Sequence, residues 1–169
     1  MYNDNKIDKI ITSKWLNADA NFSLTNQSLG KITAVHAFQM LCPGCILHGI
    51  PQAQKIHSLF SANVVQVIGL HTVFEHHEAM QEVSLKAFLS EFRVTFPVGI
   101  DQPQPTNRIP LTMDRFNLQG TPSWLIFDPE GYLVFHHFGI LDDMHLGSEI
   151  SKLIYKHLNY DQVIYKTKE

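Results

Sequence analysis

Cysteine is scarce in this chain: two residues in 169, Cys42 and Cys45. Two cysteines cannot staple a fold of this size through a disulfide framework, and they are too few for a four-sulfur zinc site. Charge is thin as well, at 17% of residues, and the formal net charge is only -3. No basic run stands out, which argues against a nucleic-acid partner and against an anionic membrane surface. No stretch approaches the ~18 consecutive apolar residues of a membrane span. Met1 to Lys6 are polar and mixed in charge, and no apolar region follows them. No signal peptide is therefore expected, and the expected location is cytoplasmic. Repeats and low-complexity tracts are lacking. What remains is 44% apolar residues, enough for a real core in a single domain over residues 1–169, with 1–14 as an N-terminal extension.

Lys31 to Gln39 is rich in β-branched and apolar residues and predicts a buried strand. Cys42-Pro43-Gly44-Cys45 follows directly. Ile46, Ile50, Ala53, His57 and Phe60 then recur at helical spacing, with Pro51 expected to kink the helix. Val64 to Leu70 is a second apolar strand of parallel-sheet character, so the first half is a βαβ unit. A polar stretch from His71 to Glu78 precedes an amphipathic helix from about Met80 to Phe92. A short strand over Phe96–Asp101, a proline-rich loop to Pro110 and a short helix over Leu111–Leu118 come next. Ser123–Phe127 and Tyr132–Phe138 predict a hairpin around the turn Asp128-Pro129-Glu130-Gly131. Ile150, Leu153, Ile154 and His157 predict a closing helix. Trp15 is expected to precede the first strand and to pack the N-terminal segment onto the sheet.

The two cysteines lie where a strand hands over to a helix, the setting of a C-x-x-C redox pair. Cys42 falls near the N-cap. Pro43 then occupies the first helical position, where its missing N–H costs little. The N–H groups of Gly44 and Cys45 are left facing the Cys42 sulfur, and the positive end of the helix favours a thiolate. The thiolate is the form that attacks disulfides. Cys45, one turn on, is positioned to resolve the mixed disulfide. Gly120-Thr121-Pro122, just before a strand, is a second signature. X-Pro bonds adopt cis at modest cost, and a cis Pro122 would turn the Thr121 backbone toward the cysteines, where it can pair with an extended substrate.

On these motifs the chain resembles the thioredoxin superfamily, and within it the TlpA-like and AhpC/TSA-like (redoxin) branch. Trp15-Leu16-Asn17, Leu29-Gly30-Lys31, Val67-Ile68-Gly69-Leu70-His71, Phe96-Pro97-Val98 and the hairpin turn add to the likeness. The resemblance implies an α/β thioredoxin fold: a central mixed sheet flanked by helices, with an insertion between the βαβ unit and the C-terminal ββα unit, from about Leu70 to Leu118. It implies Cys42 as the attacking cysteine, Cys45 as the resolving one and Pro122 as the cis proline. Departures exist. Leu41 stands where thioredoxin usually has Trp, and the inter-cysteine pair is Pro-Gly, with proline first as in DsbA-type sites. His36 takes the place of a buried acid, which implies a proton acceptor for Cys45. Pro51 falls six residues after Cys45, against five in TlpA-like proteins.

The leading expectation is a thiol–disulfide oxidoreductase without metal or organic cofactor. Its partners would be protein or small-molecule disulfides and thiols, and an unidentified reductant. Two other readings stay open. One is a thiol peroxidase with Cys45 peroxidatic, for which Phe38 and Cys42 stand where peroxiredoxins have Pro and Thr or Ser, and no motif places Arg93, Arg108 or Arg115. The other is a non-catalytic binding module. His71, His76 and His77 with Glu75 and Glu78 show no metal-ligand pairing, since adjacent His76 and His77 would diverge on a helix.

Overall fold

A computed structural model describes residues 5–157; the outer ends of the expected domain lie outside the described residues. Six strands form one mixed sheet in the order β1-β4-β3-β2-β5-β6. The central pair, β2 (Ile32–Phe38) and β3 (Val65–His71), is parallel and buried along its whole length. This is why both strands are near-continuous apolar runs and not alternating ones. β4 (Val98–Asp101) extends the parallel part, and β1 (Thr12–Leu16) closes that edge antiparallel to it. On the other side β5 (Ser123–Phe127) pairs antiparallel with β2, and β6 (Leu133–Phe138) pairs antiparallel with β5.

Helices cover both faces. One face buries Ile32, Ala34 and Phe38 with Ile50, Ala53, Leu85 and Ile150, from α2 (Ile50–Leu59), α3 (Glu82–Glu91) and α5 (Asp143–His157). The other buries Val35, Ala37, Ile68 and Leu70 with Leu24, Met113 and Phe116, from α1 (Leu24–Ser28) and around α4 (Leu111–Arg115). The alternation along β2 follows from the pleat, which sends successive side chains to opposite faces. Gln52 stitches three elements together: its amide nitrogen donates to the Leu141 carbonyl and to Asp143, and its oxygen accepts from the Trp124 indole.

The expected insertion is present as α3, β4 and α4, between β3 and β5. Residues 5–14, expected as an N-terminal extension, pack onto the fold: Ile7 donates to the Gly131 carbonyl, Leu133 donates to the Asn5 carbonyl, and Ile7 and Ile10 are buried. Three features differ from expectation. Trp15 lies within β1 and not before it, with its ring over Gly99 and 4.7 Å from that of Phe22. His71 ends β3 as a buried residue, not as the start of a polar loop.

The third difference is at Pro51. Pro43 and Gly44 are already helical, a wide π turn spans Cys45–Gly49, and α2 follows without a break. The Ile50 N–H donates to the Cys45 carbonyl, five residues back. Pro51 has no N–H and its ring crowds the carbonyl four residues earlier. The irregularity therefore appears as a π turn ahead of the proline, a common form of one-residue accommodation in helices. It also absorbs the extra residue between Cys45 and Pro51.

Gly49 closes that turn against β2. A Cβ there would lie 2.0 Å from Nε2 of His36, which is fully buried. The imidazole stacks near Phe38 at 5.7 Å and Trp124 at 4.9 Å and has no lateral room. Gly49→Ala should therefore cost about 1–3 kcal/mol through overpacking, read as a lower urea midpoint at an unchanged slope. A neutral effect would show that His36 can swing aside.

Candidate active site

The site begins where β2 ends. Gln39-Met40-Leu41 leaves the sheet and turns into the helix: the Cys42 N–H donates to the Gln39 carbonyl, and the Ile46 N–H donates to the Cys42 carbonyl, starting the helical ladder. Gln39 and His71 fix this turn from the side. Gln39 Oε1 accepts the Phe74 N–H at 3.2 Å, and His71 Nε2 accepts the Met40 N–H at 3.4 Å. Neither role is visible in the sequence, because each works through a contact more than 30 positions away.

Cys42 is half-buried and Cys45 fully buried, and both are free thiols. The Cys45 N–H donates to the Cys42 sulfur at 3.3 Å. That is one of the helix-terminal amides that have no intrahelical partner. The Cys42 thiol in turn donates to the Thr121 carbonyl at 3.4 Å. Burial first, and then its hydrogen bond with Cys42, push the Cys45 thiol up to about 12. One sulfur is thus accessible and faces a helix amide, and the other is held as a buried thiol.

The Thr121–Pro122 bond is cis. The Pro122 ring packs on the helix backbone, since a Cβ on Gly44 would lie 3.1 Å from its Cδ and 3.8 Å from Ile140. This explains the Pro-Gly order: the second position must be small to admit Pro122. The Thr121 N–H makes no hydrogen bond among the described residues. Leu41 and Ile140, 54% and 60% exposed, add apolar surface beside the pair.

His36 is brought under the same helix. Both ring nitrogens are buried without a partner, and burial pushes its pKa down to about 3. Burial favours the neutral imidazole, and the ring packs at Gly49, one turn past Cys45. Among the described residues no three His, Cys, Asp or Glu side chains group to hold a metal ion, and no helix is long and apolar enough to cross a membrane.

Solved structures place this arrangement. A thioredoxin-like superfamily protein is 48% identical, with a TM-score of 0.83 over 88% of this chain and 96% of that one. A thiol-disulfide isomerase from Corynebacterium glutamicum is 43% identical, with a TM-score of 0.86 over 90% and 97%. A putative thiol:disulfide interchange protein DsbE from Chlorobium tepidum is 18% identical with a TM-score of 0.63 over 78% and 84%, and shares the fold. No protein-family model matches the chain, and no curated protein does. The chain belongs to the thioredoxin superfamily.

The two buried histidines set an acid limit on stability. His71, like His36, is pushed down by burial, to about 4. Unfolding returns both to about 6.5, so below that pH the unfolded chain binds protons that the folded one does not. Stability is then lost as pH falls from 6.5 toward 4, by up to about 1.4 kcal/mol per unit for each histidine. Urea unfolding at fixed ionic strength should lose about 2–4 kcal/mol between pH 7 and pH 5. A flat profile there would mean that one or both rings are protonated or hydrated in the folded state.

Proposed function

We propose that this chain is a thiol–disulfide oxidoreductase that works through a reversible Cys42–Cys45 disulfide. The single observation that carries the reading is the 3.3 Å hydrogen bond from the Cys45 amide to the accessible Cys42 sulfur, with the second thiol buried one turn behind. The 43% identity to a protein named a thiol-disulfide isomerase supports it.

The steps follow from the geometry. The Cys42 thiolate, held by the helix amide, attacks one sulfur of a substrate disulfide, and the other substrate sulfur leaves as a thiolate. A mixed disulfide now joins Cys42 to the substrate. Cys45 attacks the Cys42 sulfur, the substrate thiolate departs, and the Cys45 proton goes to a departing thiolate. Two electrons have moved from the dithiol to the substrate, and the enzyme is left as a disulfide for an external thiol reductant to reopen. Run backward, the same steps oxidise a substrate dithiol. No metal or organic cofactor enters any step. The Thr121 N–H and carbonyl offer a short backbone edge to an extended substrate, with Pro122, Leu41 and Ile140 as its apolar surroundings. Pro43 and Gly44 shape the helix entry. His36 serves as a positioning residue, keeping the π turn and hence Cys45 at its depth. In a reducing cytoplasm the couple would rest as the dithiol.

Full burial of Cys45 weighs against the peroxidase reading, which needs that sulfur to meet peroxide. A peptide disulfide offered to Cys45→Ser should leave a stable mixed disulfide on Cys42 by mass spectrometry, while Cys42→Ser captures none. An absent adduct on Cys45→Ser, or a sulfenic acid forming readily on Cys45 of Cys42→Ser with peroxide, would overturn the proposal.

A further inference from the structure

The surface beside Cys42 carries hydrocarbon that the fold itself does not cover. Leu41 precedes Cys42 directly. Ile140 reaches the helix entry, where a Cβ on Gly44 would lie 3.8 Å from its Cγ1. Phe138 packs over Gly120, just ahead of Thr121 and Pro122, where a Cβ would lie 3.0 Å from its ring. Leu41, Phe138 and Ile140 are 54%, 46% and 60% exposed. Large apolar side chains left half in water around one reactive sulfur give a partner area to bury.

Charge narrows the partner. The chain has no lysine or arginine between Lys31 and Lys55, between Lys55 and Lys86, or between Arg115 and Lys152. Cys42, Thr121 and Ile140 all fall in these stretches. So does the chain after β3, which holds the turn before Cys42 through the Phe74 N–H and the Gln39 side chain. Lys55 is bonded to Asp143 at 2.6 Å. Arg115 belongs to α4, whose Thr112 N–H is bonded to Asp101 of β4, two strands from β2. Arg108 lines a cleft with His76, His77 and Glu78. The charges next to the apolar residues are negative: Glu75, bonded to the Gln39 amide at 3.4 Å, and Asp142, two residues past Ile140, both exposed. A small acidic thiol is recognised through its carboxylates, which call for lysine or arginine. The stretches that carry Cys42, Thr121 and Ile140 supply neither.

We propose that the partner of Cys42 is a polypeptide whose cysteine is flanked by apolar residues, and that Leu41, Phe138 and Ile140 select it over small acidic thiols such as glutathione. The inference rests on the oxidoreductase reading and names its substrate class. The flanking side chains cover Leu41, Phe138 and Ile140, and no carboxylate is brought up to Glu75, Asp142 and the Cys42 thiolate. The exchange is the two-electron step already described: a bond forms between the Cys42 sulfur and one substrate sulfur, the substrate S–S bond breaks, and the released thiolate takes up the proton that Cys45 gives up. The thiol that reopens the disulfide meets the same surface, so the reductant is a polypeptide of the same kind.

Oxidation rates of the reduced full chain test this, read by acid quench and mass spectrometry. The oxidants are the disulfide dimers of capped leucyl-cysteinyl-leucine and glutamyl-cysteinyl-glutamate, glutathione disulfide, and uncharged 2-hydroxyethyl disulfide as reference. Each rate is divided by the rate of the same disulfide with dithiothreitol, which removes its intrinsic reactivity. The leucyl dimer should then be faster than the glutamyl dimer and glutathione disulfide by about tenfold or more. Ile140→Lys and Leu41→Lys should each speed glutathione disulfide by about fivefold, a gain that misfolding cannot produce. Leu59→Glu, at the far end of α2, should leave all four ratios unchanged. Equal normalised rates, a preference for glutathione disulfide, or unaltered selectivity in both lysine variants would overturn the inference while leaving the oxidoreductase reading intact. Failure of even 2-hydroxyethyl disulfide to close Cys42 onto Cys45 would remove that reading, and this inference with it.

Discussion

The contact between the Cys45 amide and the Cys42 sulfur organises the chemistry of this protein. It exists because a helix starts one residue after Cys42, leaving its first amides without carbonyl partners and turned toward the sulfur. That start is fixed from three sides. Behind it, the Cys42 N–H is held by the Gln39 carbonyl as the chain leaves β2. Beside it, Pro122 presses on Gly44, and the Thr121 carbonyl receives the Cys42 thiol. Beneath it, His36 fills the notch at Gly49 and limits how far the π turn can settle. Removing any of these would leave the Cys-Pro-Gly-Cys motif in the sequence but would loosen the geometry that gives it a function.

The same arrangement separates the two sulfurs by environment and not by residue type. Three positions separate an accessible, amide-facing Cys42 from a Cys45 closed off within the hydrophobic core. Burial keeps Cys45 protonated until a mixed disulfide places an electrophilic sulfur beside it. The cost is a histidine buried with both nitrogens unpartnered, an expense that a purely structural core would avoid by using a hydrocarbon.

Much of this was legible in the residues. The buried strands announced themselves as continuous apolar runs, the hairpin by Asp128-Pro129-Glu130-Gly131, the redox pair by its strand–helix setting and Pro122 by its place before a strand. What escaped had physical reasons. β1 is an edge strand with mostly exposed or half-exposed side chains, so Thr12–Leu16 carries little alternation. α1 has five residues and depends on a Ser23 cap and on Leu24 reaching the core. Gly49 shows its necessity only when His36, thirteen positions earlier, is folded against it. His36 was legible as a buried group below the cysteines whose burial keeps it neutral.

The central claim is a reversible two-electron couple at Cys42 and Cys45, and equilibration with a glutathione or dithiothreitol buffer measures it directly. The account predicts one transition, with a potential between the roughly -270 mV of thioredoxin and the roughly -120 mV of DsbA, since proline leads the inter-cysteine pair. A couple more reducing than thioredoxin, or two thiols that never close on each other, would contradict it.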